Sequence, residues 1–546
     1  MLKYIFITGG VMSGIGKGVT AASVGKILQS RGLAVTAIKI DPYLNVDAGT
    51  MNPYIHGEVF VTEDGGETDM DLGTYERFLD VNISKEHNIT TGQIYLTVIG
   101  RERKGELLGR CIQIIPHITD EIKDRIRSIA RKSKADCAII EIGGTVGDIE
   151  SLPFLEAARQ MRLEEGQNNV LYIHVTLVPV LDVVGEQKTK PTQHSVQELR
   201  RIGIQPDAVV VRSQSALKPE PKRKIALFCN IEERAVFTSP DMRSVYELPL
   251  ILDDQGLGAY LSERMLLKSR KPDWKAWRMM LQGFLDPKYE VEIAVCGKYA
   301  ELADSYVSIN EALRHAGAAN NASVKINWVE TEIFEEDSSR LRDLERYDGI
   351  LVPGGFGARG TEGKIAAISC ARQRNIPFLG ICFGFQMAIV EFARHIGLVG
   401  ANSTEIDPDA EHPVVDLMPE QHSVDQKGAT MRLGANEIVL SPGTLAYRLY
   451  RKKVIFERHR HRYEVNQNYL SRLEEGGLVF SGRSPDGSRM EILEMPGRLF
   501  YLATQFHGEF KSRPVRPAPT YNGFVAACLE RATATKKVAA EPQQDS

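Results

Sequence analysis

Three side chains in the second half of the sequence have the types needed to break an amide bond through a covalent intermediate. Cys382 stands in Gly380-Ile-Cys-Phe-Gly384, between the apolar run Pro377–Ile381 and a helical stretch that opens Phe385-Gln-Met-Ala. A G-x-C-x-G turn from strand to helix is the cysteine form of a nucleophile elbow. Its glycines permit the tight backbone, and the helix N-terminus favours negative charge and offers N–H groups to an oxyanion. Downstream, His507 and Glu509 stand two apart in Phe500-Tyr-Leu-Ala-Thr-Gln-Phe-His-Gly-Glu509. Read as the end of a strand, alternation puts both on one face. Glu509 then orients the imidazole and His507 activates Cys382. The segment Val352-Pro-Gly-Gly-Phe-Gly-Ala-Arg-Gly360 follows another apolar run and can supply a second oxyanion N–H. A lone cysteine is commonly buried and inert; the set of three favours a nucleophile.

The first half carries phosphate chemistry. A strand runs into Gly9-Gly-Val-Met-Ser-Gly-Ile-Gly-Lys-Gly18 and a helix follows, the setting in which backbone N–H groups and a mobile lysine, Lys17, hold phosphate. The match to G-x-x-x-x-G-K-[ST] departs at Val11, which holds the first glycine position, and at Gly18, which replaces Ser/Thr. The alternative is a glycine-rich turn that binds nothing. Two carboxylates suit Mg²⁺ beside a triphosphate: Asp71 and Glu141, the latter near the carboxyl end of a strand. Lys39 ends the second strand. Lys188-Thr-Lys-Pro-Thr-Gln193 packs lysines, hydroxyls and an amide together, and with Lys224 it suits a second triphosphate; otherwise it is a solvated basic face.

These residues need a scaffold of alternating strands and helices. Tyr4–Thr8, Ala34–Ile40, Cys137–Ile142, Leu171–Val178, Ala208–Val211 and Ile225–Phe228 read as strands, with amphipathic helices at Val19–Gln29 and His117–Ile129. Alternation of this kind means parallel sheet with right-handed crossovers. A charged break with two prolines spans 268–290, and a new strand starts at Val291–Gly297. The reading is a first domain over 1–267, a linker over 268–290, a second domain over 291–534, and an unstructured polar tail over 535–546. Val324–Val329, Gly349–Val352, Pro377–Ile381 and Tyr501–Phe506 read as strands of the second domain.

Composition bounds the rest. A chain of 546 residues with net charge −4 lacks the basic surplus of a general nucleic-acid binder. The seven cysteines form no C-x-x-C pair, as expected of reduced thiols in the cytoplasm. The first apolar run is too short for a secretory signal, and no run approaches the ~18 residues of a membrane span.

Two groups of motifs resemble known families. Pro353-Gly-Gly-Phe-Gly, Gly380-Ile-Cys-Phe-Gly and His507-x-Glu509 resemble class I glutamine amidotransferases. The Gly9–Gly18 loop, Lys39-Ile-Asp-Pro-Tyr43, Asp69–Phe78, Glu141–Glu150 and Lys188–Gln193 resemble the CTP synthase family, in order, from about residue 3 to about 525. The resemblance implies an α/β fold of two doubly wound domains, a P-loop domain similar to dethiobiotin synthetase and a class I glutaminase domain. It implies ATP at Ser13, Gly14, Ile15, Gly16 and Lys17, with Mg²⁺ on Asp71 and Glu141, and Arg212 and Asp241 near the nucleotide. It implies UTP, or the inhibitor CTP, at Ser13, Gln113, Asp148, Ile149, Glu150, Lys188, Thr189, Lys190, Pro191, Thr192, Gln193 and Lys224. Lys17 and Lys39 would steady the transferring phosphoryl group. Glutamine would be held by Gly355, Phe383, Gln386, Glu405 and Arg462, and ammonia would pass His56 and Val59. A homotetramer activated by GTP is implied as well. Phe383, Phe385 and Gly508 replace the family's usual leucine, methionine and proline, and Leu108 and Cys111 its tyrosine and threonine; no reacting atom is lost. The competing readings are another amidoligase of the same plan, such as a cobyrinic acid amide synthase, and a non-catalytic nucleotide-binding assembly protein. Lys188–Gln193 argues against the first, and the intact cysteine, histidine and glutamate against the second.

Overall fold

A computed structural model describes residues 2–52, 56–181, 185–298, 303–355, 357–421 and 430–540. The chain forms two compact units. The first takes in Met1–Ala48 and Asp71–Ala276; the second takes in Gly49–Met70 and Trp277–Ser546. Residues 49–70, which lie within the 1–267 stretch of the sequence reading, therefore belong with the C-terminal half.

The first unit is built on seven parallel strands: β1 (Lys3–Gly9), β2 (Val35–Asp41), β3 (Asn88–Thr90), β4 (Cys137–Ile142), β5 (Val170–Leu177), β6 (Ala208–Arg212) and β7 (Val236–Ser239). Their order is β7-β6-β5-β1-β4-β2-β3. Continuous β-branched runs make these strands because both sheet faces are covered by helices, so no polar alternation is required. Every residue of β1 and β4 is buried. The helix Lys17–Ser30 starts where the glycines end, behind Gly16 at a φ of 92°. One expectation fails here. Ile225–Phe228 is not a strand but the end of the helix Pro219–Cys229, whose first turn carries Pro219 and Pro221. Proline is at home at a helix start, so the apolar run continues a helix that the prolines open.

The second unit holds a nine-stranded sheet. Its strands are β8 (Tyr289–Gly297), β9 (Ala322–Glu330), β10 (Gly349–Val352), β11 (Phe378–Ile381), β12 (Arg432–Leu440), β13 (Val454–His461), β14 (Val479–Arg483), β15 (Met490–Glu494) and β16 (Tyr501–Thr504). They run in the order β9-β8-β10-β11-β16-β15-β14-β12-β13. The pairings from β9 to β16 are parallel, and those from β16 onward are antiparallel. Alternation splits the side chains between two cores. Ile350, Val352 and Phe378 enter one, with Phe385 and Ile389 of the helix Phe383–His395; Leu351, Leu379 and Ile381 enter the other, with Ile309 and Phe524. The helix Lys275–Leu285 lies within the 268–290 break. The last helix, Pro519–Ala540, runs past 535, where the sequence suggests an unstructured tail; 541–546 lie outside the described residues.

Candidate active sites

Three neighbouring parallel strands bring the thiol site together. Gly354 follows β10, Cys382 follows β11 and His507 follows β16, all at the carboxyl edge of the sheet. Cys382 sits at φ 50°, ψ −97°, a left-handed backbone that a cysteine rarely adopts and that the elbow enforces. Its glycines are dictated by space. A Cβ on Gly384 would lie 2.1 Å from the carbonyl oxygen of Val352, and one on Gly380 would lie 2.8 Å from Ala503 Cβ. A Cβ on Gly354 would be 2.9 Å from His507 Cε1 and 3.6 Å from Cys382 Cβ, so the three residues share one small space.

His507 Nδ1 is 2.7 Å from Glu509 Oε1, and Tyr521 donates to Glu509 Oε2 at 3.2 Å. The pairing does not come from strand alternation, as the sequence reading has it. β16 ends at Thr504, and Glu509 lies in a 3-10 turn, Gly508–Lys511, that brings it back to the ring. Burial works to lower the imidazole's pKa, but the charges of Glu509 and Cys382 outweigh it and raise it to about 10. Cys382 Sγ is 3.6 Å from the Arg460 carbonyl oxygen and 3.7 Å from Gln505 Nε2.

A cavity of about 220 Å³ opens on this group and is lined by Gly354, Gly355, Cys382 and His507. Glu58 and Val59 line it too. They belong to residues 49–70, whose hairpin, Phe60–Val61 with Glu67–Thr68, is fastened by alternate residues of β13. Arg458, with no exposed surface, pairs with Glu63 at 2.9 Å and donates to the Val61 carbonyl at 3.0 Å. Arg460 pairs with Glu67 at 2.8 Å. Glu58 accepts from the backbone N–H and hydroxyl of Ser308 at 2.9 and 2.6 Å, at the start of the helix Val307–Ala319.

The phosphate site lies at the carboxyl edge of the other sheet. Lys17 lies along Gly9, where a Cβ would come within 2.4 Å of its Cδ, and donates to the Gly144 carbonyl at 2.6 Å. Burial lowers its pKa, against the pull of Glu141. Lys39 binds Asp71 and lies 3.2 Å from Glu141 Oε1; Tyr75 donates to the other Glu141 oxygen. Burial raises Glu141, with Lys39 opposing, and lifts Asp41 to about 6. Gly18, the departure from the loop consensus, has a spatial reason: a Cβ there would sit 2.4 Å from Asp71 Oδ1. Among the described residues no cluster of three or more His, Cys, Asp and Glu forms a metal cage. Two carboxylates converging on a cation beside a phosphate loop fit Mg²⁺, which takes one or two carboxylates and fills its shell with phosphate and water.

Each half of the sequence matches a known family. The family model of the CTP synthase N-terminus matches residues 3–267, and that of class-I glutamine amidotransferase matches 301–527. The CTP synthase of Thermococcus kodakarensis is 60% identical over 533 residues, 97% of this chain and 99% of that protein. The chain belongs to the CTP synthase family. The CTP synthase of Methanocaldococcus jannaschii is 56% identical over 535 residues, again 97% and 99% of the two chains. A solved glutaminase domain of Trypanosoma brucei CTPS with bound acivicin is 39% identical, covering 44% of this chain and 94% of that one at a TM-score of 0.42.

The residues implied by the CTP synthase resemblance fall into several groups. Ser13, Gly14, Gly16 and Lys17 form the loop, with Ile15 buried beneath it, and Asp148 lies close enough for its charge to reach Lys17. Lys188 and Lys224 both act on Glu186, which Lys188 binds at 2.6 Å. Gln113, Ile149, Glu150 and Lys190 are exposed, and Arg212 pairs with Asp241 at 2.5 Å. Thr192 and Gln193 instead turn inward: Thr192 donates to Thr176 Oγ1 and the Leu177 carbonyl, and Gln193 to Thr189 Oγ1. On the glutaminase side only Gly355 of the five glutamine positions lines the cavity. Gln386 donates to the Tyr463 carbonyl, Glu405 accepts from Gly357 N–H, and Arg462 donates to Gln421 and Thr430. Phe383 lies under the ammonium of Lys364, 4.8 Å from its ring centre. Val59 is buried in the cavity wall; His56 is exposed and does not line it. Sequence reading missed Glu58, Arg458, Arg460, Tyr75 and Tyr521. The alternating Arg458-His-Arg-His-Arg462 was the one signal for an acidic partner.

Proposed function

We propose that the two units carry the two halves of glutamine-dependent CTP synthesis. In the second unit the Cys382 thiolate attacks the side-chain carbonyl of glutamine. The tetrahedral intermediate's oxygen takes the charge beside the N-terminus of the helix Phe383–His395 and the Gly354–Gly355 loop. His507, protonated at neutral pH by virtue of its raised pKa, gives its proton to the departing ammonia. The thioester is then hydrolysed with His507 as base, releasing glutamate and the thiolate. Glu509 holds the imidazole in place.

In the first unit, Lys17 and Lys39 stand ready to steady the phosphoryl group passing from ATP to the O4 of UTP. Ammonia adds at C4 and phosphate leaves, so CTP, ADP and phosphate balance UTP, ATP and ammonia. Asp71 and Glu141 would hold Mg²⁺, which supplies countercharge to the triphosphate when bound. Lys188 and Lys224 suit the second triphosphate. Val59 in the cavity wall supports an ammonia route that starts at Cys382. Activation by GTP, inhibition by CTP, a homotetramer and a cytoplasmic location complete the proposal. Among the described residues no helix is long and apolar enough to cross a membrane.

The observation that carries the reading is the convergence of Cys382, His507 and Glu509 in a chain that also holds the phosphate loop. The test is to incubate the protein with UTP, ATP, Mg²⁺ and glutamine and follow CTP, with and without GTP. CTP formed from glutamine, and faster with GTP, is expected; no CTP from either glutamine or ammonium would sink the proposal.

A further inference from the structure

A buried polar chain lies under the phosphate loop and belongs to neither site. Thr8 of β1 and His174 of β5 are register partners on adjacent strands. Thr8 Oγ1 is 2.8 Å from His174 Nδ1, and His174 Nε2 is 2.8 Å from Ser195 Oγ on the helix Lys190–Arg201. His174 has no exposed surface, and Thr8 and Ser195 have 1% and 7%. Two residues earlier on the same face, the register pair is Phe6 and Tyr172, with ring centres 6.0 Å apart. The face thus turns from apolar to polar as it nears the loop.

Such a chain is not a cheap way to stabilise a core. Buried polar groups cost desolvation and gain mainly geometry, since apolar residues of similar volume often do as well energetically. Burial first, and the charge of Lys17 second, push the imidazole's pKa down to about 3. The ring is therefore neutral, and each nitrogen has one fixed role, donor or acceptor. The loop rests directly on this chain. A Cβ on Gly10 would fall 1.5 Å from Ser195 Oγ and 3.0 Å from His174 Nε2, and Gly10 N–H donates to the Val175 carbonyl. One helical turn before Ser195, Thr192 fastens the same helix to Thr176 and Leu177. The N-terminus of that helix and the phosphate loop are therefore set against each other through β5.

We propose that Thr8, His174 and Ser195 form a spacer that fixes the phosphate loop against the helix Lys190–Arg201, with His174 as a positioning residue for phosphoryl transfer. The role rests on reading those two segments as the ATP and UTP sites. In-line transfer is intolerant of displacement, and an error near 1 Å costs on the order of 100-fold.

The experiment uses the full chain, ammonium as nitrogen source, and the variants Ser195→Ala, Thr8→Val and His174→Asn. Expected is a kcat for CTP lower by about 10- to 100-fold, KM for ATP and UTP changed by no more than the factor by which each nucleotide alters the other's binding, and unaltered glutamine hydrolysis. Thr8→Ser, which keeps the hydroxyl, should restore most of kcat. Ser195→Ala added to His174→Asn should cost little more, since the two act as one unit. A parent-like kcat in both Ser195→Ala and Thr8→Val, or a loss confined to KM, overturns the spacer. A second measurement is independent of the reaction: calorimetric binding of a non-hydrolysable ATP analogue with and without UTP. Mutual dependence in the parent that disappears in Ser195→Ala supports the spacer even if the parent makes no CTP, in which case the reaction reading alone fails. No dependence in the parent, or the same dependence in the variant, overturns it.

Discussion

The two sites are built on the same plan and prepared in opposite ways. Both lie at the carboxyl edge of neighbouring parallel strands, where loops can be shaped without disturbing the core. In the thiol site the candidate groups already share one small space: His507 is bound to Glu509, Gly354 has no side chain to fill the room beside the ring and Cys382, and Nε2 of the ring has no hydrogen-bond partner among the described residues. In the phosphate site the charged groups satisfy one another instead, with Lys39 held by Asp71 and Glu141. Covalent catalysis on an amide needs little beyond its own side chains, so its geometry can be complete before substrate arrives. Phosphoryl transfer is mostly charge placement around groups the ligand brings, so until then lysines and carboxylates must neutralise each other.

The largest effects are expected where one site is disabled and the other left intact. Cys382→Ala should lower glutamine-dependent CTP synthesis by about 10⁴-fold or more while leaving synthesis from ammonium salts intact; losing both in a CTP assay would mean that the sites are not separate. Lys17→Ala should reduce CTP formation from either nitrogen source by roughly 10³-fold and leave glutamine hydrolysis alone. An active Lys17→Ala would remove the phosphate loop from the mechanism.

The thiol site also has its own dependence on pH. Because the folded-state pKa of His507 is raised to about 10, its imidazolium persists through neutrality and is lost as pH rises through that value. The stability it contributes has the same sign: complete below the ordinary ~6.5 of histidine and given up toward pH 10. Glu509→Gln removes the main charge that raises it. The alkaline limb of the glutaminase kcat/KM profile should move down toward neutrality, with a loss of roughly 100-fold at the optimum. A limb that stays in place would detach Glu509 from the imidazole. The smallest effect concerns the hairpin. Arg458→Met leaves Glu63, about a third exposed, without its buried partner, a cost of about 2 kcal/mol after allowing for that exposure. Calorimetry should show the melting point falling by several degrees, and an unchanged transition would mean the pair fastens nothing.

What could be read beforehand follows the range of the interactions. The elbow at Cys382 and the loop at Gly9–Gly18 are local, each a strand, a glycine turn and a helix, and both stand where the motifs place them. Glu509 reaches His507 through a 3-10 turn after a strand that stops at Thr504, a geometry with the same i, i+2 proximity as strand alternation. Ile225–Phe228 shows the limit of short apolar runs, which serve a buried strand or a helix end equally well. The hairpin at 60–68 has two-residue strands, too short for any period, and Arg458 and Glu63 are 395 positions apart. No local pattern could join them.

That hairpin also shows that order along the chain and membership of a working part are different things. Severed near 277, the glutaminase half would keep its nucleophile, imidazole and carboxylate, yet its reaction chamber would stand open on the side that Glu58 and Val59 close. Arg458 and Arg460 would lose Glu63 and Glu67 in the same cut. Part of the wall around the sulfur is encoded in the half of the gene that spells the phosphate loop, so the second half cannot be exchanged as a finished chamber.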